Sequence, residues 1–281
     1  MKQFLRSFRE GNERSVKAKQ NIALAILLKG GSVAASFLLI PLTLGYLDDY
    51  QFGVWLTLSS IMVWMNYFDI GISCGLRNKL AEAMARKDSV LGQIYVSTTL
   101  FFLVVIIAVI FVLFSIVHYW LDWYTLLNVP HDRIPNLNEL VFIVFTLFCI
   151  NFVLKFLRMV YIANQMPMYS NLFVFLGNLF SLAAIYVLKL TTPGDLGKVA
   201  FVFSVAPILV YILAYPYTFK LKYKELAPRF SAVRLEYARE LMGLGVQFFV
   251  IQITCLVAFS TSNVLIAQLV GVEQVTSYNI A

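Results

Sequence analysis

Charged residues set inside long apolar runs are where this sequence could do chemistry. Lys29 stands in one such run, beside Gly30 and Gly31 and one turn from Ala34 and Ala35. It lies about eight residues in, roughly 12 Å along a helix at 1.5 Å per residue, where an ammonium group costs about 2.5 to 3.5 kcal/mol on insertion scales. Two readings answer that cost. Either the cation meets an anionic group in a water-filled cavity, with the small residues letting a neighbour approach closely, or the long side chain snorkels to the headgroups. Asn151, Lys155 and Arg158 are spaced i, i+4 and i+7 and share one face of a helix. A polar stripe in an apolar helix faces a bundle interior more often than lipid. Lys155 lies one turn deeper than Arg158, which also reads as a topology anchor.

Asp69 is the acid placed well inside an apolar run. It reads either as a site for a coupling cation or proton, or as a structural partner for Lys29 or for backbone at a helix end. Arg77 lies two turns on, and Gly71, Cys74 and Gly75 between them have the composition of a close-packed helix end, which favours the structural role. Gln247, Gln252, Thr254 and Asn263, in the last apolar run, read as cavity lining or as hydrogen bonds between helices. Enzyme chemistry finds little support. His118 and His131 have no paired carboxylates or metal-ligand spacing around them. Cys74, Cys149 and Cys255 stand singly in apolar segments, which gives neither a disulfide framework nor a zinc site. No GxxxxGK[ST] occurs, so ATP hydrolysis is not an energy source within this sequence. No metal and no cofactor is expected.

The elements that must hold these residues are transmembrane helices. With 60% hydrophobic residues, 13% charged residues and a mean hydropathy of +0.79, the chain carries more apolar surface than a soluble domain of its length can cover. Apolar runs occupy residues 21–47, 51–76, 91–119, 138–162, 169–190, 197–219 and 240–268. The expected fold class is all-α, a polytopic transmembrane helical bundle: a first six-helix half over 21–219 and the start of a second half over 240–281. Residues 1–20 form a basic N-terminal segment and 220–239 a basic connector, read as an amphipathic helix on the leaflet or as an ordinary loop. Lys and Arg collect in 1–20, in 77–90, at Lys155 and Arg158, and in 220–239, whereas the joints at 48–49, 119–139, 189–198 and 271–273 carry few. The positive-inside rule then puts the N-terminus and every second joint in the cytoplasm. The +7 net charge marks topology, and nucleic acid is excluded as a partner.

Val33, Ala34 and Ala35 resemble a signal-peptide cleavage site, but Lys29, Gly30 and Gly31 interrupt the apolar core before it and apolar sequence runs on to Leu44. Residues 21–47 are therefore read as a retained span. Sliding the sequence by about 223 positions lays Gly245 to Ala281 over Ile22 to Leu58, with Glu273, Gln274 and Val275 over Tyr50, Gln51 and Phe52. Transporters are often built from two such related halves. On that reading the sequence ends early in the second half, and a fragment of a longer transporter is expected.

The combination YLDDYQFGVWLTL, then FDIGISCGLRNKLAEAMARKD, then LVGVEQVTSYNIA resembles the polysaccharide-biosynthesis flippases, the O-antigen-unit translocases of the multidrug, oligosaccharidyl-lipid and polysaccharide exporter superfamily. The resemblance implies that an undecaprenyl-pyrophosphate-linked oligosaccharide is flipped across the bacterial inner membrane. Its other partners would be membrane lipids and a polysaccharide polymerase or chain-length protein. A cationic cavity would meet the anionic headgroup, which casts Lys29, Asn151, Lys155 and Arg158 as substrate-binding residues and leaves Asp69 and Arg77 as ion-coupling or structural ones. A drug or cation antiporter of the same superfamily is the alternative, disfavoured by the excess of cations over acids. A non-transporting membrane enzyme or assembly partner is a further alternative.

Overall fold

Helix length follows apolar length in this protein. The computed structural model describes residues 13–65, 71–243, 254 and 261–280, with side chains described for 19–62, 71–243, 254 and 261–279. Every regular element among these residues is helical. In chain order they are α1 (Glu13–Leu44), α2 (Asp49–Met65), α3 (Ile72–Ala85), α4 (Ser89–Trp120), α5 (Trp123–Leu127), α6 (Leu137–Leu154), α7 (Leu157–Ala163), α8 (Pro167–Thr191), α9 (Leu196–Pro216), α10 (Ala238–Met242), α11 (Ser262–Leu269) and α12 (Val272–Ile280). Among the described residues five segments are long and apolar enough to cross a membrane: Lys19–Leu44, Ser89–Trp120, Leu137–Ala163, Pro167–Thr191 and Leu196–Lys222. The chain is a multi-pass, all-α membrane protein.

Aspartates start several of these helices. Asp88, Asp122 and Asp195 accept the backbone N–H groups of Leu91, Thr125 and Lys198 at the starts of α4, α5 and α9, satisfying donors a helix N-terminus leaves free. Left-handed Lys87, Asn128 and Asn136 turn the chain between elements. The α3–α4 turn and the connector after α9 mark one end of the bundle, the basic end. Residues 45–48, 121–136 and 192–195 mark the other, the aromatic end.

Two expectations are revised, and one left open between two alternatives is decided. The run 51–76 is not one span with a basic loop after it. It divides into α2 and α3 on either side of residues 66–70, and the basic residues Arg77 and Lys79 ride on α3. Gly71, with φ of 72°, precedes the first residue of α3, so it opens a helix where a helix end was expected. Glycine takes that left-handed conformation without a Cβ clash. The fourth run is regular only to Leu154. The N–H groups of Phe156, Arg158 and Met159 then bond three residues back, to Val153, Lys155 and Phe156, which tightens the joint between α6 and α7. The connector forms no amphipathic helix. After α9 come a π-helical turn at Tyr217–Lys222 and single 3-10 turns at Lys224–Leu226, Phe230–Ala232 and Leu235–Tyr237.

Hydrocarbon offers no hydrophobic drive to hold helix on helix, so close packing and polar contacts must do it. α1 lies along α8 on a ladder of two asparagines seven residues apart. Asn171 donates to the Ala25 carbonyl at 2.8 Å, and Asn178 to the Ser32 carbonyl at 3.1 Å and to the hydroxyls of Ser32 and Ser36 at 3.0 and 2.9 Å. Gly31 faces the ring of Phe175 between them. At the basic end α10 crosses α3 where Gly75 leaves room for the Leu241 carbonyl, and Lys79 pairs with Glu240 at 2.5 Å.

The weak internal repeat has a physical counterpart. The displacement that lays Tyr50 under Glu273 brings Asp49, the first residue of α2, onto Val272, the first residue of α12. It also brings Gly53 onto Thr276. These residues touch in a reciprocal pair: Gly53 packs against the Val272 carbonyl, and the Thr276 hydroxyl donates to the Asp49 carbonyl at 2.7 Å. Each contact is the image of the other under the displacement. That is the pattern of an isologous, two-fold contact between α2 and α12.

Candidate anion site at the basic end of the bundle

Within the five described spans the acid is Glu139, in the first turn of α6 at the aromatic end. Lys29, Lys155 and Arg158 lie deeper in the same spans than Glu139 does. Arg158 is half-buried. It donates from Nε to the Ser170 hydroxyl at 3.0 Å and lies near the Tyr211 hydroxyl, both neutral groups. Ser170 lies in the first turn of α8, beside Tyr169.

Tyr169 carries a second cation that the sequence reading did not single out. The Lys222 ammonium sits 3.4 Å from the Tyr169 ring centroid, 5.0 Å from that of Tyr161 and 5.6 Å from that of Tyr223. Tyr161 stacks on Tyr169 and donates to, or accepts from, the Thr218 hydroxyl. Ring faces stabilise a cation but do not neutralise it. Arg158 and Lys222 thus converge on one turn of α8. A planar guanidinium with spare donors beside a point charge suits a phosphate or diphosphate, which Arg can grip through two parallel bonds.

The other expected residues fall in several places. Lys155 closes α6 and holds its ammonium 4.5 Å from the Phe152 ring centroid. Asn151, a turn before it, has a buried Oδ1 with no hydrogen-bond partner among the described residues. The tightened joint shifts the phase of the helix, so the three do not continue as one straight stripe. Lys29 is exposed on the face of α1 turned away from α8, together with Ile26, Gly30 and Val33. Asn171 contacts Ala25 of α1, while its neighbour Ser170 contacts Arg158. Helix α8 therefore stands between Lys29 and the Arg158 cluster, and the structure does not bring them together. Arg77, half-buried on α3, donates to its neighbour Asn78 at 3.3 Å. Asp69, Gln247 and Gln252 lie outside the described residues. Asn263 bonds Ser60 at 2.6 Å and Asn279 at 2.8 Å, the helix-to-helix use, and Thr254 is exposed.

Both histidines have structural neighbours at the aromatic end. His118 Nδ1 accepts from Trp123 Nε1 at 2.8 Å, and His131 stacks on Tyr124 with ring centroids 3.9 Å apart. A cleft of about 520 Å³ at that end is bordered by Arg133, Glu139 and Asp195. It holds both signs of charge, unlike the cationic cluster at the basic end.

Residues 18–281 match the family model described as polysaccharide biosynthesis protein. Among solved structures, the chain resembles a multidrug-resistance MATE-family transporter of the MOP superfamily in an inward-facing conformation, with a TM-score of 0.71 at 10% sequence identity. The match covers 93% of this chain and 59% of that one, so the chain spans about three-fifths of that transporter's length. At this identity the likeness concerns the fold. No curated protein sequence matches the chain.

Proposed function

The chain belongs to the polysaccharide-biosynthesis protein family, and on that premise we propose that it forms the first helical bundle of a flippase for an undecaprenyl-pyrophosphate-linked oligosaccharide. The observation that carries this reading is the sign of the charge within the described spans. Cations stand at membrane depth in α1, α6–α7 and after α9, and the acid of the described spans stands at the far end. A headgroup with a diphosphate would replace with charge-assisted bonds the neutral partners that Arg158 has among the described residues, and it would add an anion to the ring-bound Lys222 ammonium. A drug or cation exchanger needs the opposite sign. On this reading Arg158 and Lys222 receive the diphosphate at the cytoplasmic side, Lys155 and Asn151 extend that site, and Lys29 acts at mid-depth on the face of α1 open to a second bundle. The positive-inside distribution supports a bacterial inner-membrane location with a cytoplasmic N-terminus. Product release to the outer leaflet would serve a polysaccharide polymerase or chain-length partner.

The test is complementation of a flippase-deficient bacterial strain with the coding sequence in its genomic context, comparing wild type, Arg158→Gln with Lys222→Gln, Lys29→Ala, and Lys220→Gln as an exposed neighbour control. Losing one charge-assisted contact costs about 1.5 to 3 kcal/mol, so surface polysaccharide should fall roughly tenfold or more in the first two variants and stay unchanged in the control. Full restoration by all variants, at equal membrane abundance, would remove the cations from the mechanism.

A further inference from the structure

We infer that the connector after α9 builds a site for an anionic phospholipid, with one acyl chain in an apolar groove and the phosphate at two arginines. The strap is fixed on the flank of α4. Ser97 Oγ accepts from the Arg229 N–H at 3.1 Å, Thr98 Oγ1 accepts from the Arg234 N–H at 3.1 Å, and Gln93 donates to the Ala227 carbonyl at 2.8 Å. Between strap, α4 and α9 lies a groove of about 370 Å³, walled by Leu100, Phe101, Val104, Val105, Tyr215 and Phe230.

Depth places this groove in the acyl region. Tyr119 and Trp120, 84% and 82% exposed, mark the aromatic end of α4, as interfacial aromatics do. About 20 residues back, or roughly 30 Å of helix, is one hydrocarbon thickness. That distance reaches Leu100, beside the residues that tie down the strap. The groove wall from Leu100 to Val105 is then inside the hydrocarbon, Arg229 borders the groove, and Arg234 follows the lining residue Val233 in the chain.

The strap's own chemistry fits that position. Phe230 is 84% exposed and Leu235 64%, large apolar groups that water would disfavour and a leaflet would receive. The Arg234 guanidinium bonds the Ser231 and Val233 carbonyls. That of Arg229 makes no hydrogen bond or ion pair with a described residue. Residues 220–239 hold six Lys and Arg against Glu225 and Glu236, so charge complementarity selects an anionic lipid over a zwitterionic one.

Native mass spectrometry of the full chain with equal phosphatidylglycerol and phosphatidylcholine tests this. Wild type is expected to retain phosphatidylglycerol in roughly tenfold excess. Arg229→Gln with Arg234→Gln should abolish the preference. Val104→Trp should fill the groove and reduce phosphatidylglycerol retention with every charge in place, while Arg239→Gln, the strap arginine farthest along the chain from the lining residue Val233, should keep it. Equal retention of both lipids by wild type, or unchanged retention by the Val104→Trp variant, would overturn the site. Displacement of the lipid by glycerol phosphate alone would also overturn it, since that marks a headgroup contact without an acyl seat. Circular dichroism and thermal unfolding confirm that each variant is folded, and none of these readouts depends on flipping.

Discussion

Gly53→Ala is the substitution whose effect the structure determines most directly. A Cβ on Gly53 would overlap the Val272 carbonyl oxygen, and Thr276 Oγ1 stands behind it. Both obstacles belong to a helix backbone or to its packed face, so no flexible side chain can give way. The helices must part by roughly 1 Å before the new carbon reaches even a tight 3.0 Å contact. Overpacking of this kind costs about 1 to 3 kcal/mol. The separation also stretches the Thr276 to Asp49 bond, now 2.7 Å, whose loss in a membrane costs about 0.6 kcal/mol on average. The expected destabilisation is therefore about 2 to 4 kcal/mol, confined to the α2–α12 seam. Gly30→Ala is the control, because nothing lies within 4 Å of a Cβ there. The assay is disulfide trapping between cysteines placed at Ser60 and Asn263, whose side chains meet at 2.6 Å, together with thermal unfolding in lipid nanodiscs. Gly53→Ala should slow trapping by roughly tenfold or more and lower the unfolding temperature, with Gly30→Ala close to wild type. Equal trapping in both would refute the seam and the two-fold relation drawn from it.

Two further outcomes are expected. Asn178→Leu removes the donor to Ser32 and Ser36 and should cost about 1 to 2 kcal/mol, measured by steric-trap unfolding, whereas Asn178→Gln should recover part of it; no change would mean that α1 is held by packing alone. The Asp122 carboxyl lies below the usual range, chiefly because the Thr125 hydroxyl donates to it, with the Tyr124 and Thr125 amides adding to the effect. A lowered folded value stabilises α5 above the ordinary Asp range, and that stability is lost as pH falls through the folded value, so the protection of the Tyr124 and Thr125 amides relative to their intrinsic exchange should fall below about pH 4 in wild type and be low at all pH in Asp122→Ala.

Much of the fold could be read from the sequence because a bilayer imposes length. Segments such as 91–119 have one outcome in hydrocarbon, a helix, and α4 follows. The run 51–76 misled because hydropathy sees apolar length and not backbone handedness. Gly71 contributes to an apolar window whether it continues a helix or, as here, starts one. Lys29 and Arg158 were identifiable because each interrupts apolar sequence. Lys222 was not: it sits between Lys220 and Lys224 in a segment whose composition is that of any basic loop. What separates it is the π-helical turn, which changes the helical phase after Pro216 and carries Lys222 onto the Tyr169 ring.

The position of α8 constrains how the proposed function would work. Adjacent residues of this helix, Ser170 and Asn171, tie it to α7 on one side and α1 on the other, and Asn178 repeats the tie to α1 two turns up. Lys29 and Arg158 therefore belong to one packed unit and cannot approach each other without breaking the asparagine ladder. A headgroup held first at Arg158 and Lys222 could reach Lys29 by moving around α8, or by the bundle turning as a body against a second one. The second route requires a seam that can rock, and α2 with α12 supplies a narrow one, close at Gly53 and bounded by small and polar residues. Rigid-body rocking of two related halves about such a seam is the general way an alternating-access protein moves its site. On that account Gly53→Ala, which opens the seam, should impair flipping as well as assembly, whereas Asn178→Leu should impair stability alone. Loss of both properties in both variants would mean that α1 and α8 move against each other during the cycle.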